Sequence, residues 1–129
     1  MWVSVFTFDK AIDRNKHRER EIGWNKEQVK ERIKHVANNS RFCVLPKYAG
    51  VQNLASKVLS LVSARISDDW LKRYGVPLLA LETYVDPEYH GNEGTCYKAA
   101  GWENLGLSSG HVSENGERTH GKFYFLKPF

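Results

Sequence analysis

Three stretches of the sequence place reactive or anion-binding groups at spacings with a mechanical meaning. The first is the crossing Val44-Leu45-Pro46-Lys47-Tyr48-Ala49-Gly50-Val51-Gln52-Asn53-Leu54, where a Gly-bearing loop runs from a strand pattern into a helical one. The N–H groups of a helix's first turn have no partner inside the helix, so Gly50, Val51, Gln52 and Asn53, with Lys47 beside them, can face a pyrophosphate. The second is Tyr97-Lys98-Ala99-Ala100-Gly101-Trp102, which sets a phenol hydroxyl on a short helical segment. In the third, Glu82 and Asp86 stand at i, i+4 at the end of an apolar run, and on a strand that spacing puts both on one face. Such a pair serves as acid and base, as metal ligands, or as solvated caps of the next loop.

Other chemistries have no local support. His17, His35, His90, His111 and His120 never recur at i, i+3 or i+4, so no metal site is expected. Cys43 and Cys96 stand alone without CxxC spacing and read as buried small hydrophobes rather than a disulfide framework or zinc knuckle. No GxSxG nucleophile elbow occurs.

The elements that must position these groups follow from periodicity and punctuation. Trp2 to Phe8 (WVSVFTF) is rich in β-branched and aromatic residues and reads as a strand; Asp9 to Glu21 has no apolar period and reads as a loop. Asn25 followed by Gln28 has capping-box spacing, and Val29, Ile33 and Val36 continue it as a helix over about 25–37, with Asn38 and Asn39 at its exit. Arg41 to Leu45 is a short strand stopped by Pro46. From Asn53, Leu54, Val58, Leu61 and Val62 form one stripe of a helix, broken or kinked near 66–68 where Ser67-Asp68-Asp69 offers a new cap; Tyr74-Gly75 closes it. Pro77 to Val85 is continuously apolar enough for a central strand covered on both faces. Thr95 caps a short helix over Cys96 to Ala100, with Gly101 at its exit. Trp102 to Leu107 and Lys122 to Leu126 are strands, with Asn115-Gly116 as a hairpin turn. The order predicts a mixed α/β sheet in one domain.

Composition agrees. The chain has 129 residues, 41% hydrophobic, enough for one core and too few for two. A mean hydropathy of −0.54 and the lack of any apolar run near the ~18 residues that cross a bilayer argue against a membrane-spanning helix, and the start lacks a signal-peptide core, so a cytoplasmic protein is expected. Between Lys10 and Lys34 nine Lys or Arg face five acids, which accounts for the whole net charge of +4. Arg14, Lys16, Arg18, Arg20, Lys26, Lys30 and Lys34 in this stretch are candidates for meeting the phosphates of DNA or RNA; a solvated mixed-charge connection explains the stretch more cheaply.

Two of the three stretches resemble a known family. In the GNAT acyltransferases the phosphate-binding crossing reads Arg or Gln, two residues, Gly, one residue, Gly or Ala, and a later helix ends in Tyr, three residues, Gly-Phe. Lys47-x-x-Gly50-x-Gln52 and Tyr97-x-x-x-Gly101-Trp102 occupy those patterns in the same order, with Lys47 and Gln52 as departures. A closer resemblance is to the DruA-like family associated with Druantia anti-phage systems. Its blocks are Ile22-Gly23-Trp24, Val36-Ala37-Asn38-Asn39-Ser40-Arg41-Phe42, Leu45-Pro46, Asn53 to Leu59, Leu81 to Pro87, Gly94 to Ala100 and Leu105-Gly106. The resemblance implies a GNAT-like core, here expected to lack that fold's first strands. It implies acyl-CoA (acetyl-CoA) as ligand, an amine as acceptor, Tyr97 as the acid that protonates the leaving thiolate, and Glu82 or Asp86 as the base. Tyr97 also reads as a packed helix residue filling the space under Trp102. The alternative function is a module that binds nucleic acid or a defence-system partner without turnover, and the open edge of the first strand suits a homodimer.

Overall fold

The computed structural model describes residues 3–11, 16–48, 50–87, 94–107, 111–112, 118–119 and 121–129. Strand β1 (Ser4–Lys10) is followed by helices α1 (Lys16–Ile22) and α2 (Lys26–Arg32), a 3-10 turn (Ile33–His35) and strand β2 (Val36–Val44). The long helix α3 (Leu54–Tyr74) leads to β3 (Ala80–Val85). Helix α4 (Thr95–Ala99) and strands β4 (Glu103–Leu107), β5 (His111–Val112), β6 (Arg118–Thr119) and β7 (Phe123–Pro128) complete the chain. The main sheet has the order β1-β2-β3-β7-β4; β5 and β6 form a separate two-stranded ribbon. The pair β2–β3 is parallel, and every other pair in the main sheet is antiparallel.

Each face of the sheet buries its own cluster. On one face Leu81 and Val85 of β3 and Phe125 of β7 pack against Leu59 and Trp70 of α3 and Tyr97 of α4. On the other, Ala80, Tyr124 and Leu126 receive Ile22 of α1, with Tyr84 and Leu105. With a helix layer on each side, β3 is buried at every position but Tyr84, as its continuous apolar run requires.

Several elements depart from the sequence reading, each for an identifiable reason. Helix α1 occupies part of the stretch read as a loop: among its described side chains the fully buried one is Arg18, with Ile22 at its end packed on the sheet, and one charge and one apolar residue make no apolar period. The Asn25–Gln28 capping box forms, at 2.9 and 3.0 Å, but α2 ends at Arg32 rather than near 37. Val36 is instead the first residue of β2, paired with Ala80, and Asn38 and Asn39 lie inside that strand, not at a helix exit. Helix α3 runs through 66–68 without a break: Arg65 and Asp69 bridge the stretch at 3.0 Å, while Ile66 and Trp70 pack into the core. Gly75 closes it with a left-handed φ of 68° and an N–H to the Leu71 carbonyl. Gly94, not Thr95, takes the cap position of α4. The Asn115-Gly116 turn and Trp2 lie outside the described residues.

Candidate functional site

The site begins where two strands stop pairing. The β2–β3 ladder holds Val36↔Ala80, Ala37↔Leu81 and Asn38↔Glu82, and ends there although both strands continue. Beyond that point the Thr83 hydroxyl donates to the Asn39 carbonyl at 2.7 Å, a side chain bonding to a carbonyl beyond the end of the ladder. Ser40 makes the parting possible. In the β1–β2 pairing Thr7 faces Arg41 and Phe8 faces Asn39, so Ser40 is the extra residue of a bulge, and a bulged strand bends away from its former line. The cleft so opened has a volume of about 330 Å³. Asn39, Ser40, Arg41 and Phe42 line it from β2; Thr83, Tyr84, Val85 and Asp86 from the β3 side; Cys96 and Tyr97 from α4.

Tyr97 is buried, and its hydroxyl donates to Asn39 Oδ1 at 2.6 Å. Its ring meets Trp102 edge-on at 5.1 Å and Phe125 at 5.7 Å, so it is a packed helix tyrosine and a cleft-lining hydroxyl together. Burial pushes its pKa up to about 12 against the lowering effect of the Thr83 side chain, which keeps the phenol neutral at physiological pH. Burial also pushes the neighbouring Cys96 thiol up. Asn39, which the sequence reading assigned to a helix end, is 3% exposed and sends its amide hydrogens to the Thr7 and Arg41 carbonyls, each at 3.0 Å. The one local signal for it was an Asn pair, poor in β-propensity, just before Ser40-Arg41-Phe42.

The two candidate carboxylates separate. Asp86 follows the last residue of β3 and lines the cleft. Glu82 is not at the strand end: it is the third residue of β3, fully buried, and packed toward α1. Arg18 Nη1 donates to both its oxygens, at 3.0 and 2.9 Å, and the Tyr124 hydroxyl donates to Oε2. Burial and then the Glu82 charge drive the Tyr124 hydroxyl's pKa far above the usual phenol range. Glu82 is thus committed to a buried ion pair, and Arg18, read as a nucleic-acid contact, is equally unable to reach a phosphate. Of the other basic candidates, Arg20, Lys26, Lys30 and Lys34 are exposed. The expected Lys26-Lys30-Lys34 column is interrupted, because Lys34 falls in the 3-10 turn after α2. Arg14 and the side chain of Lys16 lie outside the described residues.

At the crossing, Lys47 sits in a 3-10 turn (Pro46–Tyr48), exposed, with its Nζ 5.7 Å from the Tyr48 ring centre. Gly50, Val51, Gln52 and Asn53 are exposed and lead into α3. Asn53 holds a left-handed φ of 61° without capping the helix through its side chain, so the amides of Ala55 and Ser56 open from the helix mouth with no carbonyl four residues back inside the helix. From that mouth a second groove of about 470 Å³ runs along α3 past Ser56, Lys57, Ser60, Leu61 and Ala64, bordered by Ala99 of α4. The cleft is bordered by Cys96 and Tyr97 of α4, and the groove by Ala99 of the same helix and by the first half of α3. Among the described residues no cluster of His, Cys, Asp and Glu is disposed to hold a metal, and no helix is long and apolar enough to cross a membrane.

A family model described as Druantia protein DruA matches residues 2–117. No curated protein matches the chain. Among solved structures, AAC(6')-Ib in complex with ribostamycin and coenzyme A is similar at 15% identity and a TM-score of 0.56, over 98% of this chain and 57% of that one. An acetyltransferase of the GNAT family from Bacillus anthracis is similar at 10% identity and a TM-score of 0.51, over 81% of this chain and 75% of that one. The chain therefore spans little more than half the length of the first of these, and the likeness establishes a GNAT-like fold.

Proposed function

The chain belongs to the Druantia protein DruA family, and from that premise we propose that it binds an acyl-CoA in the β2–β3 cleft and transfers the acyl group to an amine. The observation that carries this reading is the parting of β2 and β3 directly after Asn38↔Glu82, with Tyr97 facing the gap. Two strand edges without a mutual ladder offer donors and acceptors to an extended, amide-bearing chain such as pantetheine. The open first turn of α3, with Lys47 beside it, suits the diphosphate. Lys47 acts there as a point charge, since it lacks the bidentate fork of Arg. AAC(6')-Ib, of the same fold, has been solved with acetyl-CoA and with coenzyme A.

In the reaction the amine nitrogen attacks the thioester carbonyl; a C–N bond forms, the C–S bond breaks, the amine loses a proton and the departing thiolate gains one. Tyr97, neutral and at the cleft, suits the donor role. Asp86 suits the base, because Glu82 is held by Arg18 and Tyr124. The test is a melting and calorimetric titration with acetyl-CoA and CoA. At a hundredfold excess over the dissociation constant, binding stabilises the fold by about 2.7 kcal/mol. No shift at millimolar CoA removes the acyltransferase reading and leaves a scaffold that binds a partner.

A further inference from the structure

The hydrogen bonds around Asn39 fix the direction of a proton. Its Nδ2 reaches two main-chain carbonyls, Thr7 O and Arg41 O, each at 3.0 Å. A carbonyl can only accept, so the amide nitrogen must occupy that side and Oδ1 the other. Oδ1 in turn can only accept, and the group 2.6 Å from it is the Tyr97 hydroxyl. The phenol therefore spends its one proton on Asn39 and turns its lone pairs elsewhere. The two carbonyls belong to the residues that face each other across the β1–β2 bulge, so the feature that opens the cleft also sets the amide.

We infer that Asn39 is a positioning residue: clamped by the bulge, it holds the Tyr97 hydroxyl as a donor toward itself, so that the phenol meets the cleft as a hydrogen-bond acceptor until a stronger acceptor draws its proton away. As a role in catalysis this rests on the acyl-transfer reading; as a statement about the proton it stands without it. A thiolate formed in the cleft is such an acceptor, whereas an intact thioester sulfur is not. Burial raises the Tyr97 pKa and so keeps the proton on the phenol, where Asn39 Oδ1 can accept it.

The experiment uses the full chain without any ligand. In protein labelled at the tyrosine ring carbons, with the Tyr97 signal assigned through Tyr97→Phe, the hydroxyl proton of Tyr97 is expected in slow exchange, with a cross-peak to Asn39. In Asn39→Ala, checked for folding by its amide spectrum, the Tyr97 hydroxyl proton is expected to pass into fast exchange while the Tyr97 ring signals keep the dispersion that packing on Trp102 and Phe125 gives them. A Tyr97 proton in fast exchange in the unmodified chain overturns the inference even if Asn39→Ala does not fold, and a proton still in slow exchange in a folded variant does the same. Adding CoA separates the two readings. A Tyr97 signal indifferent to CoA counts against cofactor binding and leaves the proton assignment intact. If transfer activity is found, Asn39→Ala lowers kcat with little change in the KM for acyl-CoA; equal loss in both counts against a positioning role.

Discussion

Arg18 Nη1 lies 2.9 Å from Glu82 Oε2, and neither side chain has any exposed surface. The pair ties α1 to the middle of the sheet one residue before the cleft opens. Removing one member leaves an uncompensated buried charge, so Arg18→Ala or Glu82→Ala is expected to cost about 3–5 kcal/mol. Arg18→Met combined with Glu82→Leu recovers part of that loss, offset by about 1–3 kcal/mol because the buried Tyr124 hydroxyl loses its Glu82 acceptor. Urea denaturation of the four proteins checks both statements. A Glu82→Ala protein of unchanged stability would show that the carboxylate is not locked in this pair.

Gly94 and Gly23 make a controlled comparison. Both have left-handed φ, 76° and 79°, but a Cβ at Gly94 would stand 2.5 Å from the Phe125 ring, whereas at Gly23 it meets nothing within 4 Å. Gly23→Ala is expected to cost only the backbone strain, about 1–2 kcal/mol. Gly94→Ala adds the overpacking of a fully buried ring, a further 1–3 kcal/mol or about that. Because Gly94 opens the helix that carries Tyr97, its substitution should also weaken any CoA binding in a calorimetric titration, and Gly23→Ala should not.

Tyr97 makes stability depend on alkaline pH. Its folded-state pKa of about 12 lies above the ordinary phenol value of about 10, so the folded chain holds the proton more tightly. The contribution is complete below pH ~10 and is lost as pH rises through ~12. Tyr97→Phe is expected to flatten that part of the stability curve, though not entirely, since Tyr124 is shifted in the same direction. At neutral pH the same variant leaves Asn39 Oδ1 buried without its donor, at a cost of about 1–3 kcal/mol. Denaturation midpoints across the alkaline range, for both proteins, measure the two effects separately.

Asn53 is the sole non-glycine with positive φ among the described residues, at the mouth of α3. Asn53→Gly should be neutral within a few tenths of a kcal/mol, and Asn53→Val should lose about 1–2 kcal/mol. If the helix mouth holds the diphosphate, the Gly variant keeps its affinity for CoA while the Val variant loses several-fold. Equal affinity in all three proteins would move the diphosphate elsewhere.

What the sequence determined about this protein is the part governed by short-range hydrogen bonds and by burial that repeats along one element. The Asn25–Gln28 capping box, the Gly75 stop and the doubly covered strand β3 are of that kind, since each is set within a few neighbouring residues. Apart from α1 and the β5–β6 ribbon, the order of strands and helices was equally legible, as were the residue blocks of the family and the position of Tyr97 on a short helix after β3. The tertiary structure alone decided the rest. Arg18 meets Glu82 across 64 residues, and Tyr97 meets Asn39 across 58. A charged residue carries no apolar period to say that it will be buried, and an Asn in a strand carries no mark of the bulge that will orient it. The cleft itself is a ladder that stops, and where a ladder stops depends on the bulge between β1 and β2, which two separate stretches of chain create only when they pair.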